Sequence, residues 1–256
     1  MRASYQDGFD THTHLDFPDF DADRDEVVAR MRAAGVARFL IAGSEPEHWD
    51  RVCATASRHG GLAAVGIHPW CTADVPNLDM LLADLRTRRC DAIGELGLDR
   101  LQARDDRAWQ RQREVLRAQL AVARERDLPI VVHSVRAYPE VLSILQRDGV
   151  PRRGGVMHAW TGHPDQLDRA VSLGLYVSFS AMITLGRAKK ALAAAAATPL
   201  DRLLAETDCP NQHPPGVERG EPAHLPTVIA ALADLRGAAF GDIWDACRVN
   251  AARLWP

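Results

Sequence analysis

Short apolar runs and longer amphipathic stretches alternate along the chain from end to end. The runs at 8–14, 37–42, 62–67, 91–95, 129–133, 155–158, 176–180 and 203–206 read as strands. The stretches between them, 23–34, 46–59, 78–88, 105–126, 138–146, 164–173 and 187–197, read as helices, and a last pair at 225–236 and 240–254 closes the chain. The longest shows the helical period best, with Trp109, Leu116, Leu120 and Ala123 on one face among exposed Arg and Glu. Pro46 and Pro164 stand at first-turn positions, and Gly35 and Gly149 stand where helices should end. Parallel neighbours need crossover connections, so strict strand–helix alternation implies a parallel sheet. Eight such units in 256 residues predict an α/β fold, a (β/α)8 TIM barrel in one domain spanning 1–256. An open doubly wound sheet normally carries a glycine-rich phosphate loop after its first strand. Here that strand runs instead into His12-Thr13-His14-Leu15-Asp16, which favours the barrel.

Composition narrows the setting. An apolar fraction of 46% and a charged fraction of 25% are ordinary for a globular protein. The net charge of −3 gives no basic surface of the kind that holds nucleic acid electrostatically, so a nucleic-acid substrate would have to be gripped locally, at the site. Five cysteines, Cys53, Cys71, Cys90, Cys209 and Cys247, form no C-x-x-C pair and fit a reducing compartment better than a disulfide framework. The first ten residues contain no apolar leader, and no segment approaches a membrane span. The expectation is a cytoplasmic protein with no membrane association and no obligate protein partner.

Chemistry gathers where the apolar runs stop. His12 and His14, Glu95, His133, His158 and Asp208 each sit at the downstream end of a run or just past it. Strand alternation places Asp10, His12 and His14 on one side, so the two histidines can chelate one cation. Singly, each residue has a bland reading as a core histidine, a loop carboxylate or a turn cap. Jointly, five of eight predicted strands end in a donor that binds divalent metals through N or O, at the face where barrel active sites lie. Cations would offset the cost of burying those carboxylates together.

The motifs Asp10-Thr11-His12-Thr13-His14-Leu15-Asp16, Gly66-Ile67-His68-Pro69, Gly94-Glu95-Leu96-Gly97-Leu98-Asp99, Pro129-Ile130-Val131-Val132-His133-Ser134, His158-Ala159-Trp160-Thr161-Gly162 and Glu206-Thr207-Asp208-Cys209-Pro210 follow one another in order. With the ending Asn250-Ala251-Ala252-Arg253-Leu254-Trp255, they resemble the TatD family of metal-dependent deoxyribonucleases over nearly the whole chain. The resemblance implies a TIM barrel of the amidohydrolase-like superfamily with a two-metal site. His12, His14 and Asp208 would hold one metal, His133 and His158 the second, and Glu95 would bridge them. The metals would be two divalent ions, Mg, Mn, Zn or Ni. The chain departs from the family pattern at Trp70, Arg100, Asn211 and Gly220, none of them a ligand position.

Two cations a few ångströms apart lower the pKa of a shared water from about 15.7 towards about 7. Asp208 is the candidate for orienting or deprotonating that water, and Glu95 for holding the metal pair at its spacing. The expected activity is a deoxyribonuclease or phosphodiesterase acting on DNA or another phosphodiester. Arg136 and Arg219 are placed to meet phosphate, His68 to meet a substrate oxygen, and Trp160 to stack on a base. The alternative enzyme on this scaffold cleaves amide, lactone or aminoacyl-ester bonds. Many relatives bridge their metals with a carboxylated lysine, and the only lysines here, Lys189 and Lys190, lie outside every predicted strand. That favours Glu95 as the bridge and the nuclease branch. A silent scaffold protein would have lost ligands, and all six are present.

Overall fold

The computed structural model describes residues 5–75 and 77–256. Eight strands form one sheet in sequential order: β1 (Gly8–Thr13), β2 (Val36–Ala42), β3 (Leu62–Val65), β4 (Ala92–Asp99), β5 (Ile130–Val135), β6 (Gly155–Met157), β7 (Tyr176–Phe179) and β8 (Leu203–Ala205). Every neighbouring pair from β1–β2 to β7–β8 is parallel. The crossovers carry α1 (Arg24–Ala33), α2 (Trp49–His59), α3 (Leu78–Thr87), α4 (Asp106–Arg126), α5 (Tyr138–Asp148), α6 (Pro164–Ser172) and α7 (Lys189–Ala197). The chain ends in α8 (Leu225–Arg236) and α9 (Phe240–Leu254). This is the expected (β/α)8 barrel.

The ring closes between the first and last strands. Thr13 and Cys209 form a parallel bridge, the Asp208 N–H donates to the His12 carbonyl (3.0 Å), and the His14 N–H donates to the Cys209 carbonyl (2.8 Å). Inside the barrel, each strand contributes one residue to a buried cluster: Phe9, Leu40, Ala64, Ala92, Val131, Val156, Tyr176 and Leu204. Ala251, Leu254 and Trp255 complete the cluster from the chain's end, and the Trp255 carbonyl accepts from Arg38 (2.7 Å). Burying one such Leu or Val side chain contributes about 1.5–3 kcal/mol, so this plug is a substantial part of the fold's stability. The opposite faces of the strands pack against the helices through residues such as Phe39, Ile41, Ile93, Val132 and Phe179.

Local signals explain most boundaries. Pro46 opens a 3-10 turn (Pro46–His48) and α2 follows it, so the single helix expected at 46–59 is two elements. The Asp105 side chain accepts from the Ala108 N–H (2.7 Å) and caps α4. Gly35 and Gly149 follow α1 and α5 at φ 86° and 87°, where a side chain would be strained. Two strands outrun the sequence reading. β4 continues four residues past Glu95, and β5 continues two past His133, because the extensions pair with each other: Leu96 with Val132, Gly97 with His133, Leu98 with Ser134 and Asp99 with Val135. Gly97 is required there, since at φ 153° a Cβ would lie 1.9 Å from the His133 carbonyl oxygen. No helix among the described residues is long and apolar enough to cross a membrane.

Candidate metal centre

β1 delivers the first two histidines, although not by regular alternation. Its register against β2 shifts between Asp10 and Thr13. Asp10 therefore parts company with the histidines and turns to the last strand's loop, where it accepts from the Thr207 N–H (2.9 Å) and the Thr207 hydroxyl (2.6 Å). Burial pushes its carboxyl up to about 8, against those two hydrogen bonds. The Nε2 atoms of His12 and His14 converge to 3.3 Å. Asp208 Oδ1 lies 3.4 Å from His14 Nε2 and 3.9 Å from His12 Nε2.

A second nitrogen pair stands opposite. His133 Nδ1 and His158 Nε2 are 3.2 Å apart. Glu95 lies between the two pairs with one oxygen toward each. Its Oε1 is 3.5 Å from His12 Nε2 and 3.6 Å from His14 Nε2, while its Oε2 is 2.9 Å from His158 Nε2 and 3.6 Å from His133 Nδ1. Glu95 occupies the middle of β4 and not its end, which puts this carboxylate on rigid backbone inside the mouth of the barrel. Five of the six ligand candidates are buried, and the His133 side chain is 15% exposed.

Charge in the cluster follows from these distances. Burial would raise Glu95, but His12, His158 and His68 around it hold its carboxyl well below the ordinary range. Asp208 is likewise held low, with His14 and His12 outweighing burial. Burial would depress His14, yet Asp208 and Glu95 lift it to about 9. His158 is raised by Glu95 and Glu206, and His133 by Asp99 and Glu95, again against burial. His68 goes the other way: burial and the neighbouring His133 keep it neutral.

The donor set fits divalent cations. In each pair two imidazole nitrogens converge to 3.2–3.3 Å, and each pair has a carboxylate oxygen beside it. Such N/O chelation suits zinc, nickel and manganese. Three potential ligand groups arise among the described residues: His12, His14 and Asp208; His68, Glu95 and His133; and His12, His158 and Glu206. Three of the four far nitrogens lie near an oxygen, as in metal-site histidines, while His12 Nδ1 has no hydrogen-bond partner among the described residues. His14 Nδ1 donates to the Ala42 carbonyl (2.8 Å), His133 Nε2 points at Asp99 Oδ2 (3.4 Å), and His158 Nδ1 at Glu206 Oε1 (3.5 Å).

Comparison with known proteins gives the family. The family described as TatD related DNase matches residues 9–256. The chain belongs to the TatD family. It is 34% identical over 252 residues to the metal-dependent hydrolase YabD of Bacillus subtilis, covering 96% of this chain and 98% of the relative. It is 32% identical over 262 residues to the 3'-5' ssDNA/RNA exonuclease TatD of Cronobacter sakazakii, covering 96% and 97%. The crystal structure of YjjV, a TatD homologue from Escherichia coli K12, superposes with a TM-score of 0.90 at 33% identity, covering 100% of this chain and 99% of that one. The protein is thus a metal-dependent hydrolase of the TatD family.

Within that TatD framework the residues expected to contact substrate are placed very differently. His68 is buried with Nε2 3.7 Å from Glu95 Oε2, inside the cluster itself. Trp70, a departure from the family pattern, packs on it with tilted rings 4.0 Å apart and is 42% exposed. Arg136 is exposed at the end of β5, with φ 52° and no hydrogen bond or ion pair among the described residues. Trp160 is fully buried, donates to the Gly162 carbonyl (3.1 Å) and packs on Tyr138 at 4.5 Å, so it has no free face for a base. Arg219 is not brought to the cluster. It pairs with Asp23 (2.7 Å) and Glu221 (2.9 Å), donates to the Asp19 carbonyl (2.7 Å), and lies over the Phe20 ring at 4.8 Å.

Sequence reasoning missed the supporting carboxylates. Asp99 and Glu95 are four apart on one strand and share a face, a signal available had β4 been read as running on. Glu206 ends the eighth predicted strand two residues before Asp208, and it accepts from the Ala159 N–H (2.7 Å) as well as facing His158. Cys209, beside Asp208, is buried and belongs to none of the ligand groups.

Proposed function

We propose that the protein is a deoxyribonuclease or closely related phosphodiesterase with a two-cation centre. One observation carries this: the two oxygens of Glu95 face two different nitrogen pairs. His12, His14 and Asp208 would hold one cation, His133 and His158 the other, with Glu95 shared. Divalent cations in such a site supply a water of lowered pKa, towards about 7, and positive charge for the oxygens of an in-line displacement at phosphorus.

The chain's own groups do the rest. Asp208 Oδ1, beside the His12–His14 pair, orients the attacking water and takes its proton. Glu95 fixes the spacing of the two positions from the middle of a strand. Asp99 and Glu206 hold His133 and His158 with their ligating nitrogens turned inward. Arg136, exposed and unpaired among the described residues, is the cation available to a phosphate arriving at the mouth. Support for a nucleic-acid substrate comes from the family's description and from the relative named as an ssDNA/RNA exonuclease.

The test is a substrate panel. Protein stripped of metal and reloaded with Mg, Mn, Zn or Ni is offered single-stranded DNA, RNA, a chromogenic phosphodiester, and amide and ester substrates. Metal-dependent release of nucleotides that His133→Ala abolishes is the expected result. Hydrolysis of carboxylic esters or amides alone would overturn the phosphodiester assignment.

A further inference from the structure

The loop after β8 brings Gln212 against Asp208. The Gln212 side-chain oxygen accepts from the Ser180 hydroxyl (2.5 Å) and from the Met182 backbone N–H (3.3 Å). Its Nε2 donates to Asp208 Oδ2 (2.5 Å). A backbone N–H can only donate, so Met182 requires the amide oxygen on its side and the NH2 on the Asp208 side. Chemistry, and not a choice between two flipped amides, sets this orientation. The backbone is pinned as well, because the Gln212 N–H donates to the Asp208 carbonyl (3.1 Å). Gly220, a departure from the family pattern, is pressed against it: a Cβ there would lie 2.1 Å from the Gln212 carbonyl oxygen.

Asp208 thus has its two oxygens facing different ways. Oδ2 accepts from Gln212, and Oδ1 faces the two histidine nitrogens of its ligand group. Ser180 follows β7 and Met182 lies in the 3-10 helix Ala181–Leu185, so a neighbouring loop reaches the centre through this one amide. We infer that Gln212 is a positioning residue that makes Asp208 a one-oxygen ligand, holding Oδ2 away from the cation and leaving Oδ1 as the only donor. This rests on the reading above that Asp208 helps to hold a cation.

Full-length protein freed of metal and titrated calorimetrically with Mn2+ tests it, with the visible spectrum of Co2+-loaded protein as a signature of coordination. Gln212→Leu keeps the bulk and removes the amide. Losing a partner of this kind lowers metal affinity by about 10–100-fold, and that loss is expected for the Mn2+ held by Asp208, together with an altered Co2+ spectrum. Ser180→Ala, which removes one of the two donors to the amide oxygen, should shift affinity the same way but less. Because the two act in series, the double variant should be no weaker than Gln212→Leu alone. Parental Mn2+ affinity with a parental Co2+ spectrum in Gln212→Leu, or fully additive losses in the double variant, would overturn the inference. If Gln212→Leu does not fold, Ser180→Ala decides, with parental affinity and spectrum overturning it. A parent chain that binds no Mn2+ removes the two-cation reading, an outcome told apart because it needs no variant.

Discussion

Removing the cations probes the two-position centre through stability, without any assumption about substrate. A ligand that binds only the folded chain stabilises it by RT ln(1 + [L]/Kd), about 2.7 kcal/mol at a hundredfold excess over Kd. Unfolding entropy is about 2.1 cal/mol/K per residue, so a chain of 256 residues carries about 540 cal/mol/K. One saturated position should therefore raise the thermal midpoint by about 5 °C, and two by about 10 °C. In the proposed centre His12 pairs with His14 and His133 with His158, and the increments should divide the same way. Calorimetric scans with chelator and then with Mn2+ would give the full rise in the parent. His14→Ala should keep only the increment of the His133 position, and His133→Ala only that of the His14 position. Glu95→Gln should weaken both, because each Glu95 oxygen faces a different pair. A parent midpoint indifferent to chelator and Mn2+ refutes the centre. A single rise that either histidine variant abolishes completely refutes two positions.

Asp99→Asn replaces the carboxylate 3.4 Å from His133 Nε2, and turnover should fall about 10–100-fold, or about 1.4–2.7 kcal/mol, in steady-state assays. A parental kcat would show that His133 needs no such partner. Trp160→Ala should cost about 3–5 kcal/mol in urea unfolding, as expected for a buried aromatic; a raised KM at parental stability would restore its role in stacking. Hydrogen bonds from Arg219 to Asp23 and from Arg30 to Glu221 hold both carboxyls below their ordinary values. A depressed carboxyl contributes stability that is complete above its unfolded pKa, about 4, and is lost as pH falls through its native value. Arg219→Met should therefore flatten the acid limb of the stability–pH curve by an amount typical of partly exposed pairs, about 0.2–1 kcal/mol, and an unchanged limb would contradict it.

The barrel was legible because each strand is a short apolar run and each helix a periodic one, in unbroken alternation. The two misread strand ends have a common cause. Gly97 looks like a stop in sequence, but pairing with β5 carries the backbone through it, and only the fold supplies that partner. The candidate ligands stood out as residue types at the ends of apolar runs, while their division into two groups came from family motifs and not from spacing. The rim was poorly legible for a different reason. Arg219 and its partner Asp23 are separated by 196 residues, and nothing local in sequence tells a paired arginine from a phosphate-binding one. Trp160 fails similarly, since burial is decided by Tyr138 from the preceding helix.

The seam between β1 and β8 has a consequence for how the protein is made. The bonds that close the ring, from Asp208 to the His12 carbonyl and from His14 to the Cys209 carbonyl, join residues of the centre itself. A ribosome delivers His12 and His14 almost first and Asp208 only after four-fifths of the chain. Until the segment after β8 docks on β1, the emerging chain lacks Asp208 at the cluster, so the six candidate ligands come together only as the ring closes.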